Sequence, residues 1–286
     1  MKNNSLQNWD IIITPNKGWF DISIKELWRF RGLLWMQVKR DFVNFYKQTI
    51  LGPLWFFIQP LLSTIVFTII FNKVAKIPTD ELPPILFYMS GIIGWNYFSD
   101  CLTHTSGTFK KFAVIFGRVY FPRIIIPSGK VISGIIKFCI QLVLFLGFYF
   151  YYIIIGNQEI NPSYILLFLL PVMIIQIAIL GQGIGLILSS LTTKYRDLEH
   201  LISFGIQLIM YASPIVYPLS SVPDQYRNYI IANPMTPIIE GFRYIFLGVG
   251  QFSIMMYFYS LFVSIIIFIF GTLIFYRVEK NFIDSV

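Results

Sequence analysis

Six runs of almost uncharged residues, each long enough to cross a bilayer, constrain this chain of 286 residues more than any other feature. A helix rises about 1.5 Å per residue, so about 20 apolar residues cross the hydrocarbon layer. The runs fall near 51–71, 84–106, 130–155, 162–190, 199–219 and 253–275. Away from water only helices and closed barrels satisfy every backbone N–H and C=O, and runs of this length predict helices. Composition agrees: 13% of the residues are charged, against roughly 25% in soluble domains. The expected fold is an all-α membrane protein with six transmembrane helices. Between the third and fourth, Gly156, Asn157, Asn161 and Pro162 predict a hairpin loop.

The net charge of +8 raises nucleic acid as a partner, but the basic residues flank the spans and form no basic domain, so none is expected. Their placement sets orientation instead. With the amino terminus inside, 17 of the 22 Lys and Arg fall on the cytoplasmic side; Lys73, Lys76, Arg227 and Arg243 fall outside. Residues 1–24 hold no apolar core longer than Ile11-Ile12-Ile13, too short for a signal peptide. Both termini are therefore expected in the cytoplasm. The chain divides into a cytoplasmic segment (1–50), a six-span transmembrane domain (51–275) and a cytoplasmic tail (276–286).

Within the first segment, Leu27, Phe30, Leu34, Val38 and Phe42 share one helical face, interleaved with Lys25, Arg29, Arg31, Lys39 and Arg40. This predicts an amphipathic helix in the inner interface, and Trp28 and Trp35 suit the headgroup region. Between spans five and six, Thr236 is the expected cap of a short helix with Pro237 at its first position and Glu240 near its positive end. Its apolar content suggests a helix dipping into the outer leaflet.

Chemistry is sparse. No G-x-x-x-x-G-K-[ST] segment exists, so no P-loop holds nucleotide here. His104 and His200 lack companions at ligand spacing, so no metal is expected; Cys101 and Cys139 lie in apolar runs and read as small hydrophobes. Asp100 and His104, at i and i+4, read as a polar pair near the cytoplasmic end of span two, and Lys137 as a side chain snorkelling to the inner surface. Gly181 and Gly185 let another backbone approach span four.

Seven segments, in order and at span boundaries, carry a resemblance. They are Glu26-Leu27-Trp28 with Arg40-Asp41; Tyr46-Lys47-Gln48-Thr49-Ile50-Leu51-Gly52-Pro53-Leu54-Trp55 with Gln59-Pro60-Leu61; Val119-Tyr120-Phe121-Pro122-Arg123 before Ile126-Pro127; Lys194-Tyr195-Arg196-Asp197; Ala212-Ser213-Pro214-Ile215-Val216-Tyr217-Pro218; Asn233-Pro234-Met235; and Glu240-Gly241-Phe242-Arg243. Over almost its whole length the chain resembles the permeases of polysaccharide ABC exporters, which move O antigen, capsule or teichoic acid across the bacterial inner membrane.

The resemblance implies a homodimer with two copies of a separate cytoplasmic ATPase, which carries the ATP and Mg; the chain itself binds no cofactor. It implies a lipid-linked polysaccharide as substrate, short cytoplasmic coupling helices and re-entrant outside helices between spans five and six. Arg118, Arg123, Lys194, Tyr195, Arg196 and Asp197 are the implied ATPase-coupling residues. Spans one and five are the implied path lining, which offers Trp55, Gln59, Ser63, Phe67, Phe204 and Tyr211. Aromatic faces suit sugar, because they meet its C–H faces without strong directional bonds. Lys110, Lys111, Arg118 and Arg123 are candidates for a lipid pyrophosphate, and positive-inside topology accounts for them equally. Two other classes compete: a membrane-embedded transferase acting on lipid-linked sugars, for which only Asp100 and His104 approach an acid–base pair, and an ion-coupled transporter, which calls for intramembrane carboxylates and repeated halves.

Overall fold

The computed structural model describes residues 24–47, 51–156, 160–195 and 197–282. Most of the amino-terminal segment, the tip of the hairpin loop and Arg196 lie outside them. Among the described residues the regular structure is helical. In chain order it comprises α1 (Ile24–Arg29), α2 (Arg31–Lys47), α3 (Trp55–Phe67), α4 (Pro84–Ser106), α5 (Thr108–Phe116), α6 (Ile125–Ile154), α7 (Leu170–Thr192), α8 (Leu198–Ala212), α9 (Asp224–Ala232), α10 (Met235–Leu247) and α11 (Ile254–Phe282).

Among the described residues four stretches are long and apolar enough to cross a bilayer: Gly52–Val74, Ile125–Ile154, Tyr164–Thr192 and Ile254–Glu279. The other two expected crossings depart for different reasons. Helix α4 has the expected bounds, but Asn96, Asp100, His104 and several hydroxyls dilute its apolarity. Helix α8 is too short, 15 residues or about 22 Å. A residue before proline is pushed out of the helical region, and Ser213, ahead of Pro214, is extended (φ −96°, ψ 151°), so the apolar run continues while the helix stops. Helix α3 carries Pro60, whose missing N–H breaks the hydrogen-bond ladder; Thr64 Oγ1 donates to the Pro60 carbonyl at 2.7 Å, and the helix widens into a π-helical segment over Thr68–Val74.

Helix α4 is the axis of the bundle, buried on most of its surface and packed by α3, α6, α7, α8 and α10. Glycines set how closely α7 approaches its neighbours. A Cβ on Gly181 would lie 2.7 Å from Cys101 Cβ, and one on Gly185 2.5 Å from Thr105 Cβ, so the expected close approach is made to α4. On its other side Gly183 abuts the α11 backbone, where a Cβ would meet Phe268 Cα at 2.7 Å, and Gln176 Nε2 donates to Ser260 Oγ at 2.7 Å. A second core lies where α2, α5 and α11 meet: Phe109, Phe116, Phe121 and Phe275, with Phe109 and Phe275 stacked at 4.5 Å. The expected apolar face of the first segment packs there. Leu27, Phe30 and Leu34 turn toward the protein and Val38 is buried, whereas Phe42 of the same expected face is exposed, as are Trp28, Trp35 and Met36.

Candidate functional site

At one end of the bundle the α10 region forms a buried ionic clamp. Thr236 does not cap α10; it sits in the first turn and its hydroxyl donates to the Ile230 carbonyl at 2.6 Å. One turn on, Glu240 and Arg243 share a face, and both are at most 2% exposed. Arg243 donates to Glu240 Oε1 and to the Ile215 carbonyl, each at 3.0 Å, and its guanidinium lies 3.7 Å from the Phe87 ring centroid. Glu240 Oε2 accepts the Gln251 N–H at 2.9 Å. Burial pushes the Arg243 pKa down, and Glu240 opposes that shift. The clamp ties α10 to α4, to the turn after α8 and to the start of α11. In the sequence Arg243 reads as a charge outside the spans, Glu240 as an acid near a helix's positive end, and both as the ends of one segment of the resemblance; their opposite charges at i and i+3 on an otherwise apolar helix are the signal of the pair.

The sequence-predicted path residues divide. On α3, Trp55, Gln59, Leu62 and Val66 form an exposed line, whereas Phe67 is half-buried, packed edge-on against Tyr88 and Phe71. Helix α8 has no buried residue. Ile202, Ile206 and Met210 lean on the core, and Leu201, Phe204, Leu208 and Tyr211 face away from it. Trp55 sits at the α2 end of the bundle and Tyr211 at the α10 end.

At the α2 end the basic candidates also separate. Lys110 forms an ion pair with Glu199 of α8. Arg123 is buried: its Nη1 donates to the Glu279 carbonyl at 2.8 Å and its guanidinium lies 5.4 Å from the Phe116 ring, so it fastens the α5–α6 turn to α11. Burial lowers its pKa and Glu279 opposes that. Arg118, Lys194, Tyr195 and Asp197 are exposed, with the Lys194 ammonium 5.3 Å from the Tyr195 ring. Lys137 does not snorkel: it pairs with Asp100 at 2.8 Å, across the α4–α6 contact. Among the described residues no group of His, Cys, Asp and Glu has metal-binding geometry.

The model of the ABC-2 type transporter family matches residues 32–247, from α2 to the last residue of α10. The chain belongs to the ABC-2 type transporter family. Relatives in this family include the O-antigen export system permease protein RfbA of Klebsiella pneumoniae, 28% identical over 253 residues that cover 88% of this chain and 94% of the relative. The protein of the same name from Myxococcus xanthus is 28% identical over 226 residues, 78% of this chain and 83% of its own. The polysialic acid transport protein KpsM of Escherichia coli is 22% identical over 191 residues, 66% of this chain and 71% of its own. The ABC-2 match thus takes in α3, α8 and the Glu240–Arg243 pair together.

Proposed function

We propose that this chain is the membrane-spanning permease subunit of an ATP-driven exporter that carries lipid-linked polysaccharide, O antigen first among candidates, from the cytoplasm across the inner membrane. The likeness to permeases named for O-antigen export, over 88% of the chain, carries the reading. Capsular polysaccharide is the second reading, favoured by the relative named for polysialic acid. The chain is not an enzyme; ATP and Mg belong to two copies of a separate ATPase on the face that holds Arg118, Lys194, Tyr195 and Asp197.

The six-span layout, with both termini cytoplasmic, takes α4 and α8 as the second and fifth crossings. Protein on several sides shields the polar groups of α4. The short α8 is completed by Ser213–Leu219, largely buried, because irregular backbone is tolerated at membrane depth where protein surrounds it. Helices α9 and α10 form the outer re-entrant segment. The exposed lines on α3 and α8 lie on the surface of one chain, so a path lined by Trp55, Gln59, Phe204 and Tyr211 calls for a second copy facing the first.

Deleting the gene is expected to strip polymer from the cell surface and leave it on the cytoplasmic side, read with antiserum before and after permeabilisation; wild-type surface polymer would overturn the reading. Within that frame, Trp55→Ala or Tyr211→Ala should slow export several-fold at unchanged protein level, since one aromatic contact contributes about 1 kcal/mol. Tyr211→Phe should stay near wild type. Normal export by both alanine variants would remove these residues from the path.

A further inference from the structure

The inner ends of α2, α4 and α6 hold a ladder of charges that transport, as described so far, does not use. Lys130 and Lys137 are seven residues apart on α6, two turns on one face, about 10 Å in depth. Each is held by a carboxylate from a neighbouring helix at 2.8 Å, Lys130 by Asp41 of α2 and Lys137 by Asp100 of α4. One turn beyond Asp100 stands His104, which lies in the field of Asp100, Lys130, Lys111 and Lys137. Lys111 folds back over Gly107, where an added Cβ would lie 3.0 Å from its Cε. That places its ammonium beside the His104 turn, and among the described residues it has no carboxylate partner.

Two features separate this ladder from a packing device. Ion pairs that only fill a core are sealed on both sides, as Glu240 and Arg243 are; here Lys137 and Asp100 keep 19% and 31% of their side-chain exposure, and Lys130 keeps 24% over a buried Asp41 at 6%. Ionisable groups reachable from a membrane segment are costly and mark functional sites. Second, cations exceed carboxylates: three lysines against Asp41 and Asp100, with Arg40 also 3.7 Å from Asp41. The surplus suits an anion, and the depth suits one carried at headgroup level.

We propose that this ladder binds the phosphate or pyrophosphate headgroup of a membrane-anchored substrate. Lys111 is the first ligand, and Lys137 and Lys130 exchange their aspartates for phosphate oxygens as the headgroup moves along α6. The inference rests on the export reading above and names where its lipid carrier is held. It keeps Lys111 from the basic candidates of the sequence and adds Lys130 and Lys137, whereas Arg123 and Lys110 of that set are engaged by Glu279 and Glu199.

The test is binding of a fluorescent polyprenyl diphosphate to the purified full chain in phosphatidylcholine nanodiscs, with phosphatidylglycerol and inorganic pyrophosphate as competitors. Lys111→Gln, an exposed change, is expected to weaken binding about tenfold, as loss of a charge-assisted contact should. The two partners of the deeper pair should act with opposite signs: Lys137→Gln weakens binding, and Asp100→Asn, which frees Lys137, tightens it several-fold. The Asp100→Asn/Lys137→Gln double variant leaves no unpaired charge and should fold normally with weakened binding. Unchanged affinity in Lys111→Gln and Asp100→Asn would overturn the site. Competition by phosphatidylglycerol as strong as that by unlabelled polyprenyl diphosphate would also overturn it, by marking an ordinary lipid contact. Because this binding needs neither ATPase nor export, either failure leaves the gene-deletion result standing, and a failed deletion result leaves the binding data readable.

Discussion

Arg243→Ala is expected to remove most of the folded chain from the membrane. The change strands the Glu240 carboxylate in a site that is 2% exposed, frees the Ile215 carbonyl and empties the face of Phe87. Breaking a buried ion pair from one side costs about 3–5 kcal/mol, comparable with the whole stability of many domains. The measurement is the yield and thermal midpoint of the detergent-purified protein. Arg243→Met combined with Glu240→Gln should recover part of the loss, because Gln still accepts the Gln251 N–H and no charge is left unpaired. Arg227→Ala is the control: its partner Asp224 is 99% exposed, and no change in midpoint is expected. A wild-type midpoint in Arg243→Ala would show that the clamp does not hold the α10 region together.

The second large effect is expected at Gly271→Ala. A Cβ there would lie 2.3 Å from the Gly183 carbonyl oxygen, and Gly183 in turn presses on the Phe268 backbone, so no flexible side chain is available to yield. Helices α7 and α11 must move apart along the seam that Gln176, Ser260 and Ser264 close with hydrogen bonds. Overpacking of this kind costs about 1–3 kcal/mol, and thermal midpoints should fall accordingly. Gly147→Ala, where nothing lies within 4 Å, should be neutral or slightly stabilising. Equal midpoints for the two variants would mean that the seam is looser than its glycines imply.

Much of this architecture was legible because membrane helices announce themselves by length. The run at 84–106 became α4 with the same bounds, and the Gly181 and Gly185 spacing marked a real contact. What escaped reading was pairing across distance. Asp100 and Lys137 are 37 residues apart, and only the packing of α4 on α6 joins them. The end of α8 was hidden because Ile215 and Val216 prolong the apolar run past the break at Ser213. The stripe on α3 drifted for a geometric reason. Each step of four residues overshoots a 3.6-residue turn by about 40°, so three steps carry Phe67 about 120° round from Trp55, into the rings of Phe71 and Tyr88. Steps of four, three and four return to the same side at Val66, which is exposed.

Helix α8 has no buried residue: Ile202, Ile206 and Met210 lean on the core, and its polar ties are Glu199 to Lys110 at one end and, just past the other, the Ile215 carbonyl to Arg243. Its outward positions 201, 204, 208 and 211 are therefore not held by the fold, and on the proposed path they are the ones that meet the cargo. In adaptive terms this is an unencumbered surface: its chemistry can be rewritten residue by residue while α4, α7 and α11 hold the scaffold still. A lineage acquiring a new cargo would find there the shortest route that leaves folding intact.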